Sequence, residues 1–268
     1  MRRALEHIGK MRGGAQAHLL RCDDAAYYVV KFQNNPQHLR ILANEMLGYH
    51  LATALGLPVA RGEVVEVSAE LIAQTPDLAI VKRGRPETCP AGFHFGSRFP
   101  GDPGRVAVHD FFPDDRLAEV ANVGEFAGML LFDQWTCNTN GRQVIFVAEP
   151  FSYRTAGYRA LMIDQGFCFN AGEWNFPDSP LRGLYPRHRV YAAVTGWNSF
   201  EPYLSRLEQL PRRVLDEAAA AVPPEWYEGD TAALDRLLTR LDQRRRRLRE
   251  LITAARNSSR QPFPHWRE

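Results

Sequence analysis

The sequence predicts an α+β protein made of two lobes, a small antiparallel-sheet lobe followed by a mainly helical lobe. Its 268 residues exceed the ~150 of a typical domain, which suggests one large domain or two packed lobes. Strand-like segments crowd residues 1–85, whereas helical periodicity prevails over residues 86–268. We therefore predict an N-terminal lobe over 1–85 and a C-terminal lobe over 86–268.

The composition is that of a folded globular chain, with 45% hydrophobic and 24% charged residues. The longest apolar stretches end after about six residues, far short of the ~20 that a membrane-spanning helix needs. The basic N-terminus lacks the ~7–15-residue apolar region of a secretory signal. These features predict a cytoplasmic protein without a membrane partner.

Charge and cysteine content narrow the class of partner. The 33 basic and 31 acidic residues leave a formal net charge of +2, which argues against a general polyanion-binding surface. Four successive arginines, Arg244–Arg247, are a local exception, but their acidic neighbours favour a solvated helix face over a nucleic-acid contact. The four cysteines form no CxxC pair, which argues against a disulfide framework or a zinc ribbon. Nucleic acid is therefore not an expected partner.

The N-terminal lobe is predicted to be a β-β-α-β-β unit. β-Branched and aromatic segments flank an Asp-rich turn and predict a hairpin over 18–22 and 27–32. Apolar residues at helical spacing predict a helix over 39–55. Further strands are predicted over 63–67 and 78–83, which gives a small antiparallel sheet with one covering helix.

After these strands the pattern changes. Residues 84–113 are rich in Gly, Pro and aromatic residues without periodicity, which predicts a long loop between the lobes. A helix is predicted over 123–135, followed by a short hairpin over 143–147 and 160–164 with a variable connection. The remainder is largely helical and includes a long amphipathic helix over 231–256.

The first group of candidate site residues lies in the N-terminal lobe. Gly13, Gly14 and Gln16 lie in a turn where missing Cβ atoms let backbone N–H groups approach phosphate oxygens. Lys31 is one of only three lysines and ends an apolar strand, which places its ammonium beneath that turn. Glu45, on the following helix, is positioned to pair with that ammonium. The order of glycine turn, strand lysine and helix glutamate favours a phosphate-binding site.

A further candidate follows the second predicted hairpin. Asp164 ends an apolar strand, where a buried carboxylate requires a cation or strong donors. A Mg²⁺ ion meets that requirement, and Gly166 permits the sharp turn that exposes the carboxylate. Asp164 is therefore a candidate metal ligand.

The polar loop in FDQWTCNTNGRQVIF supplies candidates for orienting an attacking hydroxyl and for a further metal ligand. Two registers fit this loop. Asp133 and Asn138 have a D-x-x-x-x-N spacing, although Asp133 is predicted to lie on the preceding helix. Asn140 and Gln143 lie in the loop itself, directly before a strand, which is the better location. In that register the residue at the position of a catalytic base is Asn140, which carries an amide instead of a carboxylate.

These motifs resemble a HipA-type kinase domain, a short branch of the protein-kinase-like superfamily. The resemblance spans roughly residues 9–170 and rests on GGAQ, VVKF, NEMLGYHLATALGLPV, NTNGRQ and IDQGF. It implies a bilobal protein-kinase-like fold that binds ATP and Mg²⁺ between the lobes. It assigns the phosphate-covering loop to Gly13, Gly14 and Gln16, the phosphate contact to Lys31, its helix partner to Glu45, and metal binding to Asp164.

One position departs from the HipA-like pattern. Asn140 stands where an N-x-D motif has its catalytic aspartate, and Gln143 replaces a later asparagine in a shortened loop. The resemblance assigns Mg²⁺ to Asp164 with Gln143 or Asn138. An amide orients a hydroxyl but does not accept its proton. Asp133 would compensate only if its helix ended earlier than predicted.

Two functions follow from this departure. The first is an ATP-dependent phosphotransferase whose acceptor is a protein serine, a lipid headgroup or a small molecule, with HipA-like relatives pointing to a protein hydroxyl. The second is a nucleotide-binding pseudokinase that acts as an interaction module. Phosphoryl transfer depends largely on positioning and charge neutralisation, so an asparagine at this position does not by itself exclude turnover.

Overall fold

The computed structural model describes residues 1–149 and 157–268 of the chain. Seven strands lie in the N-terminal part: β1 Arg2–Lys10, β2 His18–Cys22, β3 Tyr27–Lys31, β4 Gly62–Val67, β5 Ala79–Lys82, β6 Arg85–Thr88 and β7 Gly92–Arg98. Five of them form a closed barrel in the order β1-β2-β3-β7-β4. The predicted hairpin over 18–22 and 27–32 is confirmed by the antiparallel pairing of β2 with β3.

Side chains alternate between the inside and the outside of this barrel. Leu20, Tyr28 and Val30 point inward and are fully buried. Because successive residues of a strand face opposite sides, Tyr27, Val29 and Lys31 of β3 share the outer face. The helix α1, Ile41–Ala54, lies on that side and confirms the helix predicted over 39–55.

Strand β7 lies within the stretch that the sequence predicted as a long loop over 84–113, so that prediction is wrong. Its aromatic residues alternate with His94 and Gly96, and glycine is unfavourable in strands. The barrel requires this glycine, because a Cβ at Gly96 would lie 2.5 Å from Val65 Cγ2. Strand β1 was also not predicted, since it is largely exposed and polar, with only Ala4 buried.

A two-stranded sheet is inserted between β4 and β7. It consists of β5 and β6 and follows the short helix α2, Ala69–Gln74. A strand does occur within 78–83 as predicted, but it pairs with β6 instead of joining the main sheet. On the opposite edge of β5, the side-chain amide of Gln16 forms hydrogen bonds with both the N–H and the carbonyl oxygen of Val81.

The rest of the chain combines a small sheet with helices. Strands β8 Val108–His109, β9 Gln143–Ala148 and β10 Tyr158–Ile163 pair in the order β10-β9-β8. The predicted hairpin is confirmed by the pairing of β9 with β10, and residues 150–156 of its connection lie outside the described residues. The helices are α3 Phe126–Thr136, α4 Tyr203–Glu208, α5 Arg212–Ala220, α6 Thr231–Arg244 and α7 Leu248–Arg256. Among the described residues, no helix combines the length and apolarity needed to cross a bilayer.

The larger hydrophobic core joins α1 to this second part. It gathers residues of α1, all of α3's apolar side chains, and inward residues of β9 and β10 such as Phe146 and Met162. Every residue of α3 is buried, which explains why its sequence shows no polar face. All four cysteines are buried and unpaired with one another.

The helix predicted over 231–256 is interrupted by a tight turn at Arg245–Arg247, which separates α6 from α7. Arg244 is 4% exposed, and its guanidinium donates to Gln134 O at 3.1 Å and to Asp178 Oδ1 at 2.6 Å. Arg247 donates to the other oxygen of Asp178 at 2.8 Å. Two arginines of the run therefore hold α6 and α7 to the segment around Asp178.

Two buried histidines of the barrel region make stability depend on pH. His18 and His94 are fully buried, and burial lowers the pKa of each to about 4. Both stay neutral in the folded state, whereas the unfolded chain takes up protons below about pH 6.5. We expect the free energy of unfolding to fall as the pH drops from about 6.5 to about 4.

Urea denaturation followed by tryptophan fluorescence across this pH range measures the effect. The variant His94→Gln removes one of the two titrating groups and should show a shallower decline than the unchanged chain. Equal stability of the unchanged chain at both ends of the range would contradict the expectation.

Candidate active site

Three charged side chains meet between β3, α1 and the end of β10. The Nζ atom of Lys31 donates to Glu45 Oε1 and, at 2.6 Å, to Asp164 Oδ1. Lys31 ends β3, Glu45 lies in α1, and Asp164 directly follows β10. The fold thus brings together three residues that the sequence singled out from distant motifs.

Glu45 also binds the backbone that follows Asp164. Its Oε2 accepts from Gln165 N and its Oε1 from Gly166 N, both at 2.9 Å. Gly166 is required there, because a Cβ would lie 2.6 Å from Ile41 Cγ1. Asp164 itself adopts a left-handed backbone with φ of 60°, which aspartate tolerates better than most residues. The turn is therefore built around the carboxylate of Glu45.

Burial and charge oppose each other at Lys31 and Asp164. Burial alone would lower the pKa of Lys31, but the carboxylates of Glu45 and Asp164 raise that pKa above its ordinary value. Burial alone would raise the pKa of Asp164, but the ammonium of Lys31 lowers that pKa below its ordinary value. At neutral pH, both groups therefore carry the charges that phosphate and cation binding require.

Sequence reasoning missed Asn44, the neighbour of Glu45. Its side chain is fully buried, and Oδ1 accepts from Trp174 Nε1 at 2.7 Å. Its Nδ2 lies 2.8–2.9 Å from three carbonyl oxygens of the segment after Asp164, those of Gly166, Cys168 and Ala171. The only signal was an asparagine at an otherwise apolar helix position. Asn44 ties α1 to the backbone that carries Asp164.

The turn between β1 and β2 contains the predicted glycine loop. Gly13 has a φ of 111°, which requires glycine, and Asn35 Nδ2 donates to Ala15 O at 3.0 Å. The amide of Gln16 accepts from Val81 N and donates to Val81 O, each at 2.7 Å. The side chain of Gln16 is thus turned toward β5 and fixes one side of the loop there.

Asp133 lies on α3, as predicted, and is fully buried. Arg142 binds both of its oxygens, with Arg142 Nε donating to Oδ2 at 2.8 Å and Nη2 donating to Oδ1. Asn138 Nδ2 donates to Asp133 Oδ1 at 2.9 Å. This arrangement argues against the Asp133–Asn138 register, because both side chains are buried in contacts with each other and with Arg142.

Asn140 and Gln143, the other register, lie in the loop and at its exit. Asn140 is half-buried, and its N–H donates to Asn138 Oδ1 at 3.1 Å. Gln143 is exposed, opens β9 and pairs with Ile163, the residue before Asp164. The strand register therefore brings Gln143 to the same end of the sheet as Asp164.

A later segment closes against this loop at Gly183, which sequence reasoning also missed. Gly183 N donates to Asn140 O at 3.2 Å, and Arg142 N donates to Gly183 O at 3.3 Å. Gly183 has a φ of 64°, and a Cβ there would lie 1.9 Å from Asp133 Cβ. Only glycine allows this close approach.

A cavity of about 560 Å³ lies on the Lys31 side of β3, toward the beginning of that strand. Tyr27 lines it from β3, Leu161 from β10, and Phe99–Asp102 from the segment after β7. Tyr27 precedes Lys31 by four residues on the same strand face, about 13 Å along the strand. The cavity at Tyr27 and the charged cluster at Lys31 therefore lie on the same face of β3, at opposite ends of the strand.

A comparison with models of known protein families identifies the family of this chain. The family model described as HipA-like kinase matches residues 5–256, nearly the whole chain. The chain belongs to the HipA-like kinase family. No curated protein sequence matches this HipA-like chain.

Several solved structures share the fold of this chain. The Golgi casein kinase with Mn/ADP bound has 12% identity and a TM-score of 0.53, covering 96% of this chain and 74% of that chain. The Helicobacter pylori proinflammatory kinase CtkA has 14% identity and a TM-score of 0.51, covering 95% and 97%. HipA of Shewanella oneidensis MR-1, in a complex with HipB and operator DNA, has 12% identity and a TM-score of 0.52, covering 95% and 69%. At these identities the likeness shows a kinase-like α+β fold.

One buried side chain of this member of the HipA-like family has no polar partner among the described residues. Gln165 is 2% exposed, and neither atom of its amide is hydrogen-bonded to any of the described residues. Its Cβ lies against α1, where Gly48 leaves room for it. We expect Gln165→Leu to raise the free energy of unfolding by about 1–3 kcal/mol, because it removes a buried unsatisfied amide.

Guanidinium chloride denaturation measures this change. The matched variant Gln165→Glu should destabilise the protein strongly, since it would bury an unpaired charge at the same position. A Leu variant that is no more stable than the unchanged chain would show that the amide is satisfied.

Proposed function

We propose that this HipA-like kinase transfers the γ-phosphate of ATP to a hydroxyl group in a Mg²⁺-dependent reaction. The observation that carries the proposal is the meeting of Lys31 with Glu45 and Asp164. A fixed ammonium can bind the phosphate oxygens of ATP, and a neighbouring ionised carboxylate can bind the metal ion. Few structural roles require a buried lysine between two carboxylates contributed by separate elements.

We propose a bilobal arrangement whose boundary follows Arg98, not residue 85, because β7 pairs with β3 and β4. The nucleoside would then occupy the cavity at Tyr27 and Leu161. Its phosphates would extend along β3 toward Lys31, beneath the turn that contains Gly13 and Gly14. Gln16 would act by anchoring that turn to β5.

The side chains at this site fit Mg²⁺. Asp164 supplies an ionised carboxylate and Gln143 an exposed amide oxygen at the same end of the sheet. Within the described part of the chain, no group of three or more His, Cys, Asp or Glu side chains is arranged to hold a metal. Mg²⁺ commonly uses one or two protein oxygens and completes its shell with water and phosphate oxygens. The bound ion would neutralise phosphate charge as transfer proceeds.

The loop around Asn140 would position the acceptor hydroxyl. The hydroxyl oxygen forms a bond to the γ-phosphorus as the bond to the bridging oxygen of ADP breaks. The amide of Asn140 would orient that hydroxyl, and the proton would leave to water, because an amide does not accept it. We propose a protein hydroxyl as the acceptor, in line with the Golgi casein kinase of similar fold, which is named for a protein substrate.

Asn140 also favours a second candidate function, a nucleotide-binding pseudokinase that acts as an interaction module. The rest of the site would then bind ATP, and the missing carboxylate would leave transfer without a base. Binding without transfer distinguishes this candidate from the first.

Incubation with radiolabelled ATP and Mg²⁺, with thermal-shift measurement of nucleotide binding in parallel, tests both. We expect label transfer, including autophosphorylation, to be lost in Lys31→Ala and in Asp164→Ala. The variant Arg236→Ala, an exposed site on α6, serves as the control and should keep full transfer. Transfer unaffected by Lys31→Ala or Asp164→Ala would contradict the kinase assignment. Nucleotide binding with no transfer would favour the pseudokinase.

A further inference from the structure

Five exposed cationic side chains surround the edge of the glycine loop. We call this surface the basic rim, and it consists of Lys10, Arg12, Lys82, Arg83 and Arg85. The turn 10–16 and the segment 77–88 together contain these five basic residues and two acidic ones, Asp77 and Glu87. The basic rim is thus a local excess of charge on a chain whose formal net charge is only +2.

Little of that charge is neutralised by the protein itself. Lys82 lies 3.8 Å from Glu87, and both side chains are more than 40% exposed. Lys10 donates to Gln16 Oε1 at 3.0 Å and to Ala79 O at 3.1 Å, which are uncharged acceptors. Arg12, Arg83 and Arg85 make no ion pair with any of the described residues.

Hydrogen bonds fix the basic rim beside the proposed phosphate site. The hairpin of β5 and β6 is held to the glycine loop by Gln16, whose amide is hydrogen-bonded to both the N–H and the carbonyl oxygen of Val81. On its other side, Asn34 Nδ2 donates to Glu87 Oε1 at 3.0 Å and to Thr88 O at 3.2 Å. Asn34 follows Lys31 by only three residues. The hairpin is therefore fixed both to the glycine loop and to the segment that follows Lys31.

We infer that the basic rim binds an acidic segment of the acceptor polypeptide. This inference rests on the proposed phosphotransferase function and names the chemistry of its substrate. Lys10 and Arg12 border the glycine loop itself, and Lys82, Arg83 and Arg85 are held beside that loop through the hydrogen bonds of Gln16 to Val81. Complementary charge at that position raises the encounter rate and selects among acceptors.

A peptide fits this surface better than a nucleic acid. The basic rim is confined to one turn and one hairpin, whereas phosphate-backbone binding draws on a longer run of cations. The other arginine cluster of the chain is largely engaged internally, since Arg244 and Arg247 both bind Asp178.

The test uses full-length protein and two fluorescein-labelled peptides, with glutamates on both sides of a single serine in one and glutamines in the other. Fluorescence anisotropy measures binding, and radiolabelled ATP measures transfer. The rim variant is Lys82→Glu/Arg83→Asn/Arg85→Glu, with asparagine chosen because Arg83 has a φ of 51°. The control variant is Arg213→Glu/Arg236→Glu/Arg246→Glu, which changes exposed arginines on other elements.

We expect the unchanged chain and the control variant to bind the glutamate peptide, and the rim variant to bind it at least about tenfold more weakly. Binding should weaken as salt is raised, and the KM for ATP should stay unchanged in the rim variant. Equal binding of both peptides, or equal binding by rim and control variants, would overturn the inference. Preference for a labelled single-stranded DNA over the glutamate peptide would overturn it in favour of nucleic acid.

The two proposals fail in different ways. The anisotropy measurement does not depend on catalysis, so charge-dependent binding without transfer would leave the basic rim intact and count against the phosphotransferase. Transfer to both peptides with equal efficiency would support the phosphotransferase and remove the inferred role of the basic rim.

Discussion

Replacing Arg142 by alanine is expected to lower the free energy of unfolding by about 3–5 kcal/mol, a large share of the ~5–15 kcal/mol that stabilises a typical protein. Arg142 is 2% exposed and is the cation that contacts the fully buried carboxylate of Asp133. The alanine variant would leave that carboxylate buried without a counter-charge. It would also free Ile163 O, which accepts from Arg142 Nη1 at 2.9 Å directly before Asp164.

Urea denaturation measured by circular dichroism tests this expectation. The double variant Asp133→Leu/Arg142→Met removes both charges and should recover much of the lost stability, because no unpaired ion remains. Arg105→Ala is the matched control, since Arg105 is 86% exposed and its removal should change stability little. If Arg142→Ala lowered the free energy of unfolding no more than Arg105→Ala does, the buried ion pair would not be what stabilises this loop.

The variant Asn140→Asp is expected to increase γ-phosphate transfer by about 10²–10⁴-fold, the range that a positioned general base contributes. The side chain of Asn140 makes no hydrogen bond with the described residues, and its backbone is held by Asn138 and Gly183. Aspartate has nearly the same size, so the substitution adds a proton acceptor without disturbing the loop.

Transfer of label to protein and to water, with saturating ATP and Mg²⁺, measures the gain. Asn140→Asp/Lys31→Ala is the control and should stay inactive, because it restores the base while removing the phosphate contact. Asn138→Asp would place a second carboxylate beside buried Asp133 and is expected to destabilise the loop without any gain. An unchanged rate in Asn140→Asp would show that the acceptor hydroxyl does not approach this position.

Local sequence signals predicted most of the elements that build the site. The strand ending in Lys31, the helix carrying Glu45 and the hairpin before Asp164 all have the strong periodicity that burial on one or both faces imposes. The order of motifs then indicated which residues share a site. The structure places Lys31, Glu45 and Asp164 in direct contact.

Other features depend on contacts between distant segments and leave little trace in local sequence. Strand β7 contains Gly96 because Val65 approaches closely from β4, and that glycine made the segment resemble a loop. The roles of Arg142 and Gly183 depend on their contacts with Asp133, which is distant from Gly183 in the sequence. Gln16 illustrates the reverse case, since its place in the glycine loop was predicted but its contact with β5 was not.

Asn44 and Glu45 make α1 and the turn after Asp164 a single rigid body. Swinging that helix outward, a motion by which many kinases are switched off, would break the hydrogen bonds of these two side chains to the carbonyl oxygens of Cys168 and Ala171 and to the N–H groups of Gln165 and Gly166. Each buried polar group left unsatisfied costs about 1–3 kcal/mol, so the summed cost approaches the stability of the whole domain. An inhibitor of this protein would therefore gain more by blocking the entrance to the site than by trapping a displaced helix.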